Sequence, residues 1–316
     1  MSKITSLFNN LGTPQKVAYL FGYGVMITGL AHLITFLLTP DAVLEGPIGF
    51  RKPMVFGLSA GFTLVTMGWL LKFYKSRPRL HTAMMAMMSA ALIIEIIIID
   101  VQRFRSLPSH FNMGTPLDAA LWSIMGLSIL IFASVSTTQA ILSFGKLTGS
   151  PTMNLAIRTS MILFFFSQIS GQLIVSHGMN QVMVEGTFVL ENIEHSTTVG
   201  EAGNLKLPHA ISLHSIQALP LLTLLLPVVV LSRRALRALV LGGALGFASI
   251  TLFTQLHAYN GKHITDLSYG QIIFLGLSLM VFLVPFIVAI IYRVIGMLNR
   301  GFHSNQESPK LSSNHS

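Results

Sequence analysis

The chain has 316 residues, of which 52% are hydrophobic and only 10% charged, and its mean hydropathy is +0.68. A soluble domain carries about 25% charged residues and a disordered chain more, so both classes are excluded. The formal charge of +9 is spread among apolar runs, and the absence of cysteine excludes disulfides, thiolate metal sites, iron–sulfur clusters and thioether-linked haem.

About 20 apolar residues span a bilayer as helix. The apolar runs, in chain order, are Val17–Leu38, Met54–Leu71, Thr82–Val101, Leu117–Phe144, Leu155–His177, His209–Leu231, Leu236–His257 and Tyr269–Ile295. The first is too long for the apolar region of a cleaved signal peptide, about 7–15 residues, and reads as a retained helix. The predicted fold is therefore all-α: an integral membrane bundle of about eight transmembrane helices over residues 17–300. A short segment, 1–16, precedes it, and a polar, serine-rich tail, 301–316, reads as disordered. Pro53 and Pro208 fall where a first helical turn would start. Pro220, Pro227 and Pro285 fall inside helices and predict kinks. Gly242-Gly243 predicts a close helix–helix contact, and the methionines, Met84, Met85, Met87 and Met88 among them, read as core filler. The one long loop, 178–207, contains Gln181–Leu190, where β-branched and apolar residues flank Glu185-Gly186. That pattern predicts a short β-hairpin, in a loop long enough to serve as a lid.

Lysine and arginine set the orientation. One set of loops holds 14 of the 20 basic residues. The other holds Arg51, Lys52, Arg103, Arg105, Lys206 and Lys262, together with ten of the eleven acids. The first set is predicted to face the cytoplasm with both termini, giving +13 inside and −4 outside. Membrane insertion and anionic lipid account for this basicity without nucleic acid.

Polar residues inside the runs carry the functional signal. Eight of the eleven histidines (His32, His110, His177, His195, His209, His214, His257 and His263) fall on the predicted outer side or in the outer half of a helix. Glu95 lies within Ala91–Asp100, a stretch that is apolar apart from Glu95 and the terminal Asp100. A carboxylate in hydrocarbon costs roughly 2.5–3.5 kcal/mol even on the lenient insertion scale, so it must face protein or a polar cavity. Gln102 shares its helix face, whereas Asp100 is rotated away toward the headgroups. The following loop brings together Arg103, Arg105, His110, Asn112 and Asp118, with Thr115-Pro116 as a helix start. In the sixth run His214 and Gln217 share a face, and Pro208 leaves His209 free to be re-aimed by the loop.

Several of these strings resemble an uncharacterised family of bacterial multi-pass membrane proteins. They are Arg51-Lys-Pro53, Glu95, Gln102 with Arg105 and Ser109-His-Phe-Asn112, Thr115-Pro116 with Asp118, His195 with Val199-Gly200, and Pro208-His209 through His214, Gln217 and Pro220. The likeness covers most of the chain from the second to the sixth run. It implies that Lys52, Glu95, His110, Asn112, His195, His209, His214 and Gln217 belong to one pattern, in a bacterial cytoplasmic membrane. It brings no activity, and His32, His177 and His257 lie outside it.

Three functions compete. In the first, Glu95, His209 and His214 bind a transition metal (iron, copper or zinc) or a b-type haem for redox chemistry, with a lipid-soluble quinol as partner. Gln102, His110, Asn112, His195 and Gln217 would then orient or cover these ligands. Lys52, Arg103 and Arg105 would bind haem propionates or another anion. The predicted pocket lies between the third, fourth and sixth helices under the 178–207 loop. In the second, Glu95 carries the proton of a proton-coupled transporter or channel. That reading needs polar groups in the inner half, where only neutral ones such as Thr28, Thr66, Ser134, Ser136 and Gln139 occur. In the third, a metal-bound water attacks a lipid headgroup. A non-catalytic scaffold or sensor is the remaining class, and the oligomeric state is left open.

Overall fold

The computed structural model describes residues 11–226 and 231–306. Its helices are α1 (Thr13–Leu38), α2 (Arg51–Leu70), α3 (Pro78–Phe104), α4 (Pro116–Ser143), α5 (Pro151–Val182), α6 (Lys206–Leu213), α7 (Ser215–Leu225), α8 (Arg233–Tyr259) and α9 (Tyr269–Gln306). Seven of these, all but α6 and α7, are long and apolar enough to cross a membrane. The chain is thus a helical bundle of the integral membrane type.

The sixth apolar run is the exception to the expected eight. Its described part is two pieces of 8 and 11 residues, about 12 and 16 Å long against a hydrocarbon core of about 30 Å. The break is at His214, whose N–H bonds to Ile211 O while its own carbonyl accepts from the N–H groups of both Gln217 and Ala218. Pro220 lies inside α7 and Pro285 inside α9, as expected; Pro227 is outside the described residues. The last helix continues to Gln306, past the expected end near residue 300. The segments 1–10 and 307–316 are outside the described residues.

Proline starts α3, α4 and α5, where its missing N–H costs nothing. Small residues let α1 and α2 touch along their backbones. A Cβ on Gly57 would lie 2.7 Å from Gly29 Cα, and one on Gly61 would lie 2.4 Å from Gly22 O. With no hydrophobic force between helices in lipid, such close van der Waals approach holds the pair together. Of the expected Gly242-Gly243 contact, Gly243 packs closely on α7, where a Cβ would lie 3.0 Å from Leu222 Cδ2. The α8–α9 approach is at Gly246, where a Cβ would meet Phe282 N at 2.4 Å. The central core is rich in methionine: Met67, Met84, Met85, Met88, Met153 and Met161 pack with Leu64, Leu92, Phe132, Phe164 and Ile216.

The loops 39–50, 105–115, 183–205 and 260–268 meet at one end of the bundle, called here the long-loop end. The expected hairpin is present. Strands β1 (Met183–Val184) and β2 (Thr187–Phe188) pair antiparallel around Glu185 and Gly186, both at positive φ, as a two-residue turn of the primed kind requires. A second hairpin, β3 (Thr198–Val199) with β4 (Gly203–Asn204), was not expected. It docks on the end of α8, where Ala202 N–H bonds to Gly261 O and Gly200, Gly203 and Gly261 meet backbone to backbone.

Candidate functional site

The loop from α3 to α4 folds back into the bundle. Ser106 and Phe111 take positive φ, Leu107 N–H returns to Gln102 O, and Ser109, Phe111 and Asn112 are buried. Non-helical backbone at membrane depth is tolerated where protein surrounds it. Here Phe111 packs with Val182, Ile193, Trp122 and Phe188, so the 183–205 loop covers it.

This loop delivers His110 to Glu95. Glu95 is nine residues, about 14 Å, inside the end of α3. It is 3% exposed, and its Oε1 is 3.3 Å from His110 Nε2. The other carboxylate oxygen, Oε2, is buried without a hydrogen-bond partner. His110 Nδ1 is 3.2 Å from Ser109 Oγ, and its ring is held edge-on by Phe56 of α2 and tilted against Trp122 of α4. Lys52, in the first turn of α2, acts electrostatically on both partners. Burial holds the His110 imidazole below its ordinary range, Lys52 adds to this, and Glu95 opposes it. The pair is therefore flanked by Phe56 of α2 and Trp122 of α4 beside α3, with α2 where the sixth run was expected.

A second network braces the loop. Asp118 is 2% exposed; its Oδ1 accepts from Gln102 Nε2 (2.9 Å) and Arg105 (2.6 Å), and its Oδ2 accepts from Thr115 Oγ1 (2.6 Å). Arg105 also donates to Gln102 Oε1 (2.5 Å), and Asn112 Nδ2 donates to Pro108 O (3.3 Å). The Thr115 hydroxyl caps α4 through Asp118 N–H, the helix start read from the sequence. Gln102 and Asn112 thus position the loop. Asp118 and Gln102 both engage Arg105 through Nη1, and the Arg105 side chain stays 32% exposed. Arg103 lies over the Phe50 ring (4.0 Å), with its Nε buried and unpartnered, and shares a small cleft with Lys52 and Ser109.

The expected ligand trio is not assembled. His209 Nδ1 hydrogen-bonds Ser167 O (2.8 Å) against Gly171 of α5, and His214 is exposed at the helix break. Among the described residues no group of three or more histidines and carboxylates is placed to hold a metal ion. Glu95 and His110 offer one oxygen and one nitrogen. His195 is exposed on the covering loop, and the Gln217 amide is buried with both polar atoms unpartnered.

The other histidines have their own partners. His177 Nε2 bonds Thr198 O (2.9 Å), pinning β3 to α5, and His257 Nε2 bonds His263 O (2.8 Å). His32 Nε2 pairs with Asp100 Oδ1 (2.9 Å) between α1 and α3, so Asp100 does not point to the headgroups as expected. One signal for this pair was available: both residues lie within six positions of a helix end at the same side. Nothing in the sequence shows that α1 and α3 are neighbours.

No protein-family model, no curated protein and no solved structure matches this chain.

Proposed function

We propose that this chain is a membrane-embedded acid–base protein with a one-sided site open toward the long-loop end. In this reading Glu95 accepts a proton from, or returns it to, a polar group of a lipid-soluble or anionic substrate. His110 shares that proton across their contact, and Lys52 balances negative charge beside them. The observation that carries the proposal is the unpartnered Glu95 Oε2, buried in a carboxylate whose other oxygen faces His110. A buried charge or acceptor left unsatisfied is costly, and such groups gather where function uses them. The basic-residue bias of the loops supports an outward orientation.

The transport reading is weaker. Between the pair and the short-loop end Met67, Met85, Met88, Leu92, Met161 and Phe164 pack with only neutral polar groups among them, such as buried Ser89 and Gln139, whose Nε2 donates to Met67 O. A proton or solute path would have to cross that layer. Among the described residues the metal reading lacks a third donor beside Glu95 and His110.

The test is infrared titration of the purified protein. The wild type is expected to show a carboxyl band that changes with pH, absent from Glu95→Gln and retained in Asp100→Asn. A band that persists in Glu95→Gln would overturn the assignment. Stoichiometric metal or a haem spectrum lost on changing His110 would return the redox reading to the front.

A further inference from the structure

The small cleft beside the Glu95–His110 pair is built from two loops and two helices. Ile48 and Gly49 come from the 39–50 loop, Lys52 from α2, Ile99 and Arg103 from α3, and Ser109 from the loop that follows. It is half-open and presents polar surface, and its floor has room for about one water molecule. That is the size of one oxygen of an anion and not of a whole ligand. Ile99 is one turn, about 6 Å, along α3 from Glu95, and Ser109 Oγ is 3.2 Å from His110 Nδ1, so the cleft adjoins the pair.

The charges around this cleft do not balance. The nearby acids are engaged: Asp118 with Arg105, Asp100 with His32, Glu45 with Arg51 and Glu95 with His110. Lys52 and Arg103 are half-buried, yet among the described residues neither makes an ion pair or donates a hydrogen bond. Arg103 is held by its stacking on Phe50, and of its three nitrogens only Nε is shut away from solvent. Its two terminal nitrogens and Lys52 Nζ are unpartnered and reachable. Glu95 is the acid that acts on Lys52, and Lys206 at the start of α6 adds a further positive charge. Two open cations from two helices call for a ligand group of up to two negative charges, and a phosphate monoester carries about −1.5 to −2 at pH 7.

We propose that the cleft anchors the phosphate group of the substrate, one oxygen seated between Lys52 and Arg103 and the rest of the molecule lying outside, against the 39–50 and 105–115 loops. The inference rests on the acid–base reading of Glu95 and His110 and names the class of molecule that reaches them: a phosphate ester, water-soluble or a lipid headgroup. No bond is made or broken in the anchoring itself.

The test uses the full-length protein in nanodiscs of zwitterionic lipid, titrated calorimetrically with inorganic phosphate, with dihexanoyl phosphatidic acid and with trimethyl phosphate, which is uncharged. Saturable binding of at least one of the two anions is expected, and none of trimethyl phosphate. Binding of both anions alike supports a water-soluble source, and binding of phosphatidic acid alone supports a lipid one. Lys52→Gln and Arg103→Gln are each expected to weaken the bound anion about tenfold or more, the worth of one charge-assisted hydrogen bond. Arg79→Gln, exposed at the short-loop end, is expected to change it less than about twofold. Absence of saturable anion binding would overturn the proposal. So would binding that both cleft variants leave unchanged, or equal binding of trimethyl phosphate. If Lys52→Gln fails to fold, Arg103→Gln and the trimethyl phosphate comparison still decide it. Glu95→Gln is expected to retain the anion, since it removes a negative charge and no donor. Anion binding without a pH-dependent Glu95 band would therefore break the acid–base reading alone, and a Glu95 band without anion binding would break this inference alone.

Discussion

Helix α3 carries two carboxylates that each face a histidine, and the two pairs are built differently. Asp100 and His32 meet at 2.9 Å with side-chain exposures of 20% and 10%, and no atom of Asp100 is buried without a partner. Glu95 and His110 meet at 3.3 Å, with 4% and 21% exposure, and one Glu95 oxygen is buried and unpartnered. The first pair joins two helices. The second joins a helix to a loop that folds back into the bundle, with the Lys52 charge beside it. A pair that is closed and near the surface does structural work; one that is deep and left incomplete has capacity for a proton or a ligand.

The largest expected effect lies in the frame that keeps the second pair open. Asp118→Ala removes the acceptor of Arg105, Gln102 and Thr115 at a buried position. Breaking a buried charged network by removing one partner costs about 3–5 kcal/mol. Denaturant unfolding in detergent should show that loss, and the α3–α4 loop should become accessible to proteolysis. A change below about 1 kcal/mol would mean that the loop is held by Phe111 packing instead.

Next in size is the closed pair. Asp100→Asn or His32→Phe leaves one buried partner unsatisfied and should lower stability by about 1–3 kcal/mol. The Glu95 infrared band should stay in place. In contrast, Glu95→Gln should change stability by less than about 1 kcal/mol, because the amide gives up a carboxylate whose second oxygen had no partner. If both substitutions destabilise alike, the two pairs do the same work and the functional distinction falls.

The sequence revealed the parts of the molecule that depend on local pattern. The apolar runs gave the helices, Glu185-Gly186 gave the first hairpin, and Thr115 with Asp118 gave the start of α4. Glu95 stood out because a carboxylate in an isoleucine-rich run is costly unless protein or a polar cavity surrounds it. Its partner could not be read the same way. His209 and His214 looked closer to a site because they lie in a helix, whereas His110 sits in a loop whose inward fold depends on positive φ at Ser106 and Phe111. Neither residue type announces that backbone conformation.

The smallest effect is a pH dependence that separates the pairs. Burial holds His110 below the ordinary imidazole value of 6.5. As pH falls through about 6.5 the unfolded chain takes up a proton that folded His110 refuses, so stability declines there, by at most about 1.4 kcal/mol per pH unit. The decline ends once pH passes below the depressed folded value, where both states are protonated. His110→Gln should flatten this part of the curve. Glu95→Gln should extend the decline to lower pH, because Glu95 is the group that raises His110 against its burial. Asp100→Asn should leave the His110 contribution where it is, since Asp100 is paired with a different imidazole. Stability curves measured between pH 4 and 8 for these three variants would therefore tell whether His110 answers to Glu95. A curve for Glu95→Gln that overlays the wild type would break the link between the two residues on which the acid–base reading rests.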